Sequence, residues 1–230
     1  MRIIALGDTH GHSTWKKILS KEKSDKIIFI GDYFDSINIS GEKQIQNFKD
    51  IIYYKRCNKN SVVLLMGNHD FHYLDMNERY SGFQDNKQFY IREELNNAIK
   101  ENLMEMCYIH NDLLFTHAGV TKTWLKSCGY TGEEPLDIFI NDVFKYQPRK
   151  FKFTVGKNQS PYGDDITQSP IWVRPASLLK DKVDNYTCVV GHTQQDKLKM
   201  TKEIVLIDTI GTSGEYLVYD NGVLTVKKVS

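Results

Sequence analysis

A chain of 230 residues with 30 Lys and Arg against 29 Asp and Glu has a formal charge of +1, too small for a global field that would gather nucleic acid or an anionic membrane. Hydrophobic residues at 40% and charged residues at 26% are ordinary for a globular chain and exclude disorder as its main state. No run reaches the roughly 18 to 20 apolar residues of a membrane helix, and Met1 to Leu6 meets Gly7 and Asp8 too early to be the apolar centre of a signal peptide. Cys57, Cys107, Cys128 and Cys188 are scattered and form no CxxC pair. That usage points away from a zinc-thiolate site or a disulfide framework and toward reduced thiols in a cytoplasmic protein.

In chain order, short apolar runs over residues 2–6, 27–30, 62–66, 113–115 and 188–190 each end in Gly, Thr or His. Their length and Ile, Val and Leu content suit strands buried on both faces. Helices are expected between them: over 13–20, with Ser13 or Thr14 as N-cap, over 40–55, and over 88–106, where Ile91, Leu95, Ala98, Ile99, Leu103 and Met106 share one face. Strand alternating with helix predicts an α/β layered fold. Residues 129–169, with Gly132, Pro135, Pro148, Gly156, Pro161 and Gly163, read as an irregular insertion over one edge of a single domain. Runs over 204–208, 214–219 and 223–229, with Asp220-Asn221-Gly222 as a turn, predict a closing antiparallel meander.

The chemistry-bearing residues sit where the strands end. The turns read Gly7-Asp8-Thr9-His10-Gly11, Gly31-Asp32-Tyr33-Phe34-Asp35, Gly67-Asn68-His69-Asp70, Thr116-His117-Ala118-Gly119 and Gly191-His192-Thr193. Asp8 and His10, two apart on extended chain, face the same side and make a half-site for a borderline divalent cation. Five such turns from separate strands place metal-competent groups where a layered sheet gathers its ligand site.

In this order the five motifs resemble the calcineurin-like metallophosphoesterase superfamily, and within it the small bacterial and phage serine/threonine protein phosphatases. The resemblance covers about residues 2–212. It implies a four-layer α/β/β/α sandwich of two mixed sheets. It also implies two divalent metal ions, with Asp8 and His10 on the first, Asp32 bridging, and Asn68, His117 and His192 on the second. An anionic bridge relieves the repulsion of cations roughly 3.5 to 4 Å apart, and a bridging hydroxide could attack phosphorus in line. Nitrogen and oxygen donors suit Mn²⁺ best, with Fe or Zn²⁺ as alternatives.

The same resemblance gives His69, paired with Asp35, the role of stabilising or protonating the leaving oxygen. Arg174, in Trp172-Val173-Arg174, becomes the phosphate clamp by its bidentate fork, and Asn68 also faces the substrate phosphate. One departure stands out: the branch continues its second motif with Arg-Gly, where this chain has Ser36-Ile37. Arg79, Arg92 and Arg149 are the candidates to replace that arginine. Gln194 stands where many phosphodiesterases of the superfamily carry a second histidine. His12 reads as a neighbour of the site or a surface residue, His72 as structural, His110 as a turn residue, and Tyr53-Tyr54 as core. Asp208 is either a strand-end residue or a neighbour of the site.

The leading reading is therefore a metal-dependent phosphomonoesterase acting on phosphoserine or phosphothreonine in proteins. The alternatives are a nucleotide, dinucleoside polyphosphate or polynucleotide phosphatase, and a non-catalytic binding module. Partners are a phosphorylated protein or small phosphoester; the charge balance argues against a membrane and mildly against long nucleic acid.

Overall fold

The computed structural model describes residues 1–75, 78–157 and 164–229. Pro161 and Gly163 of the expected insertion lie outside the described residues. The first sheet carries β1 (Arg2–Leu6), β2 (Lys26–Phe29), β3 (Val62–Leu65), β4 (Met104–Glu105), β10 (Glu215–Asp220) and β11 (Val223–Lys228), ordered β11-β10-β1-β2-β3-β4. The second carries β5 (Cys107–His110), β6 (Leu113–Thr116), β7 (Thr187–Val190), β8 (Lys199–Met200) and β9 (Ile204–Leu206), ordered β5-β6-β7-β9-β8. Strands β1 to β4 run parallel, as do β6, β7 and β9, whereas β5, β8, β10 and β11 pair antiparallel with their neighbours.

Alternation along each strand builds two cores. Ile3, Ala5, Ile28, Ile30, Val63 and Leu65 meet Phe115, Val189, Val205 and Ile207 between the sheets. The intervening residues, among them Ile4, Leu6, Phe29, Leu64, Leu114 and Val190, face outward under helices. Helices α1 (Thr14–Lys21), α2 (Gly41–Cys57) and α4 (Gln88–Lys100) bring Trp15, Phe48 and Leu95 to this layer. Helices α5 (Lys122–Cys128), α6 (Leu136–Tyr146) and α7 (Pro175–Asp181) bring Trp124, Ile140 and Leu178. The result is the expected α/β/β/α layering. Helix α3 (Asn68–Phe71) is a single turn. No described helix is long and apolar enough to cross a membrane.

Three local expectations are corrected. The helix expected over 88–106 stops at Lys100, because Asn102 turns left-handed at φ 54°. Leu103 N–H then donates to the Ala98 carbonyl and Asn102 N–H to that of Ile99, the paired closure of a Schellman cap. Leu103 and Met106 stay buried, so the periodicity marked burial beyond the helix. The closing meander is divided: β9 joins the second sheet parallel to β7, whereas the β10–β11 hairpin joins β1. Tyr53 is 69% exposed, while Tyr54 packs against Trp15.

Candidate functional site

All five motif turns leave the carboxyl ends of parallel strands, so the two sheets converge their loops at one end of the sandwich. Four of the residues there hold left-handed backbone despite their side chains: His10 (φ 40°), Asp32 (53°), Asp35 (70°) and His192 (61°). Such conformations concentrate where the surrounding structure forces side chains onto a site. The turns also clasp one another. The Asp32 carbonyl accepts Thr9 and His10 N–H at 3.1 and 2.8 Å, and His69 N–H donates to Asp32 Oδ1 at 2.9 Å. His192 N–H lies 3.0 Å from Asp8 Oδ2.

Two glycines permit this closeness. A Cβ on Gly67 would fall 2.0 Å from Asp32 Oδ1, and one on Gly191 would fall 1.9 Å from Asp8 Oδ1. Both contacts are far below van der Waals distance, so glycine at these places is required by approach.

Three imidazoles are each fixed by a backbone carbonyl. His10 Nδ1 faces the Phe34 carbonyl at 2.5 Å, His117 Nδ1 faces that of Ile30 at 3.0 Å, and His192 Nε2 faces that of Trp172 at 3.0 Å. A carbonyl only accepts, so each of these nitrogens carries the hydrogen and the opposite nitrogen is left with its lone pair. Those lone pairs point inward. His117 Nε2 and His192 Nδ1 lie 3.0 and 2.9 Å from Asn68 Oδ1. His117 Nε2 and His10 Nε2 lie 3.4 and 3.8 Å from Asp32 Oδ2. With that oxygen assignment for the Asn68 amide, acceptors face acceptors across the centre.

Electrostatics tell the same story. Burial, followed by the charges of Asp208 and Asp32, pushes Asp8 well above the usual carboxylate range. Burial, then Arg174 and His117, holds His192 well below an ordinary histidine, which keeps its ring neutral. Asp208, beside Asp8, is raised by burial to about 6. The crowding of Asp8 and Asp208, the neutral ring of His192 and the inward-facing imidazole nitrogens fit bound cations, which would relieve the carboxylate repulsion. Ligand atoms of Asp8, His10 and Asp32 lie within 4.8 Å of one another. All six expected ligand residues are thus brought together.

A second compact group is Asp35, His69 and His72. His69 Nδ1 lies 2.9 Å from Asp35 Oδ2. Burial disfavours the charged ring, but Asp32, Asp35 and Asp70 outweigh it and raise His69 to about 9. His72, read from sequence as structural, is wholly buried with Nε2 2.7 Å from the same Asp35 oxygen. Its position three residues beyond His69 on a helical turn was the available signal. Asp70, also unassigned from sequence, accepts N–H from Asp32, Tyr33 and Gly67 at 2.8, 2.8 and 2.9 Å.

Arg174 caps α7 and its Nη1 donates to the His192 carbonyl at 2.9 Å and to Thr193 Oγ1 at 3.1 Å. A cleft of about 390 Å³ reaches the site past His10, His12, His69, Gln194 and Asp208. Ser36 does not offer a charge in the missing arginine's place. Its hydroxyl accepts the N–H groups of Asn38 and Ile39, and Gln44 grips its backbone. Arg79, Arg92 and Arg149 do not line the cleft, and neither does Arg174, which is tied to the His192 turn instead. Arg79 pairs with Asp85, Arg92 donates to the Tyr73 carbonyl, and Arg149 lines a larger cavity of about 1080 Å³ elsewhere. His110 packs on Tyr219 and pairs with Leu113, at the opposite end of β6 from the His117 turn.

The chain is similar in fold to a cold-active protein-tyrosine phosphatase from a psychrophilic Shewanella species. The TM-score is 0.64 at 22% identity, over 100% of this chain and 80% of that one. It is likewise similar to a protein serine/threonine phosphatase from Saccharomyces cerevisiae, with TM-score 0.60 at 17% identity, over 99% of this chain and 79% of the other. No curated protein matches its sequence. The sequence model of calcineurin-like phosphoesterases matches residues 1–196. The chain therefore belongs to the calcineurin-like phosphoesterase family, hydrolases of phosphoesters that use divalent metals.

Proposed function

We propose that this chain is a dinuclear-metal phosphatase that hydrolyses phosphomonoesters, with phosphoserine and phosphothreonine in proteins as its substrate class. One observation carries the reading: three imidazole lone pairs are turned inward by backbone carbonyls on the opposite nitrogens. Asp8 and His10 would hold one cation, Asp32 would lie between two, and Asn68, His117 and His192 would hold the other. The nitrogen and oxygen donor set favours Mn²⁺, ahead of Fe or Zn²⁺. When bound, the cation pair supplies stabilisation of phosphoryl charge and an acidified water as nucleophile.

The remaining work falls to side chains of this chain. Arg174, steadied by the His192 carbonyl and Thr193, would grip phosphoryl oxygens, and Asn68 would face the same group. His69, held by Asp35, would give its proton to the leaving oxygen as the P–O bond breaks. Gln194 lines the cleft where a second histidine would suit a diesterase, which supports the monoester. The segment 129–169 would flank the site within a single domain, since Phe153 packs at 5.0 Å on Trp172, whose carbonyl faces His192. The two similar structures are phosphatases of different phosphorylated residues by name, so the fold itself does not choose between these.

The test is a substrate panel with Mn²⁺: p-nitrophenyl phosphate, phosphoserine and phosphotyrosine peptides, diadenosine tetraphosphate and end-phosphorylated oligonucleotides. Fastest turnover on phosphoserine peptides is expected. Preference for a nucleotide substrate would overturn the substrate class. No phosphate release from any of them, with Asp32→Asn indistinguishable from wild type, would overturn the catalytic reading.

A further inference from the structure

Asp35 is held from more directions than one histidine requires. Its Oδ2 lies 2.9 Å from His69 Nδ1 and 2.7 Å from His72 Nε2, and its Oδ1 accepts the Tyr73 hydroxyl. The His72 contact is at ion-pair range without the alignment of a hydrogen bond. The segment 80–84 sets the direction of these contacts. Tyr80 N–H approaches His72 Nδ1 at 3.4 Å, which leaves the ring hydrogen on Nε2, beside Asp35. Gln84 N–H donates to the Tyr73 hydroxyl oxygen at 2.9 Å, so the hydroxyl hydrogen goes to Asp35. Tyr80 lies parallel to the His72 ring at 5.6 Å, and Phe83 stacks on Tyr73 at 4.6 Å. His72 and Tyr73 are wholly buried and neither lines the cleft, so they reach the reaction only through Asp35. In such dry surroundings a carboxylate with occupied lone pairs keeps one orientation.

We infer that Tyr73 and His72 are positioning residues, which lock the Asp35 carboxylate so that His69 keeps its free nitrogen aimed at the departing oxygen. The inference rests on the role proposed above for His69. Loosening a proton donor hurts most when the leaving group is a strong base. The measurement is therefore kcat and KM of the Mn²⁺-loaded full chain on phenyl phosphate and on 2,4-dinitrophenyl phosphate, whose leaving group needs far less proton assistance.

Tyr73→Phe and His72→Asn are each expected to lower kcat on phenyl phosphate by about tenfold. The loss on the dinitrophenyl ester should be much smaller, and KM on both should hold. Equal losses on the two esters, or none, in both variants would overturn the inference. Should Tyr73→Phe fail to fold, His72→Asn decides by the same comparison. His69→Asn separates the two levels. If it discriminates between the esters while the two variants do not, only the positioning role falls. If His69→Asn itself does not discriminate, the proton-donor role falls and this inference with it.

Discussion

The Trp172 carbonyl accepts the Nε2 hydrogen of His192 at 3.0 Å, and this bond decides which nitrogen of His192 faces Asn68. The Trp172 ring braces the same histidine at 5.8 Å, nearly perpendicular, and also packs on Tyr80 at 4.5 Å. Replacing Trp172 with Ala would open a cavity against three aromatic rings, at about 3 to 5 kcal/mol. For a chain of this length that corresponds to a fall in Tm of roughly 9 to 15 °C. Thermal unfolding with and without Mn²⁺ checks it: the variant should also gain less from the metal than wild type does. An unchanged Tm would show that the ring is dispensable.

Gly191→Ala isolates the effect of close approach. The new methyl would collide with Asp8 Oδ1 and with Ile30, so the carboxylate must move off the centre. Metal affinity should drop on the order of tenfold or more, with part of the lost phosphatase activity returning at high Mn²⁺. A metal titration with wild-type affinity would contradict this.

Asp70→Asn probes the clasp between the second and third motifs. The carboxylate accepts three backbone N–H groups from Gly67, Asp32 and Tyr33, and an amide nitrogen can accept none. Leaving a buried donor unmatched costs about 1 to 3 kcal/mol, so Tm should fall by roughly 3 to 9 °C. Calorimetry should find this loss together with weaker activity, because Asp32 is one of the residues displaced.

Far from the site, Glu22 ties the hairpin to the first strand through Arg2, Lys227 and the Tyr216 hydroxyl. Burial works to raise its pKa, but Lys227, Arg2 and Tyr216 together leave it below the ordinary 4.5. A depressed carboxylate pKa contributes stability above that ordinary value, and the contribution fades as pH falls through the folded-state value. Glu22→Gln should therefore cost about 1 kcal/mol near neutral pH, with the gap to wild type narrowing below about pH 4.5. Urea unfolding at pH 7 and pH 3.5 checks the sign; a gap that widens in acid would refute it.

Much of the candidate site was legible because its proposed ligands follow apolar runs closely. Asp8, Asp32, Asn68, His117 and His192 each sit one to three positions past a strand, where a change from apolar to polar is plain in the sequence. The carbonyls of Phe34, Ile30 and Trp172 were not legible, since a backbone acceptor leaves no mark on residue type. His72 was hidden for another reason: its partner, Asp35, lies 37 residues away on a different turn. In the fold, the pattern over 204–208 announced a strand but not which sheet would receive it. Asn102 ended a helix whose apolar period ran on, because burial outlasts helical geometry there.

The central claim is that six side chains from five turns hold two cations around Asp32. Anomalous scattering from a crystal soaked in Mn²⁺ tests it most directly. Two peaks roughly 3.5 to 4 Å apart are predicted, one reached by Asp8 and His10, the other by Asn68, His117 and His192, with Asp32 between. A lone peak, or none within reach of Asp32, would contradict it.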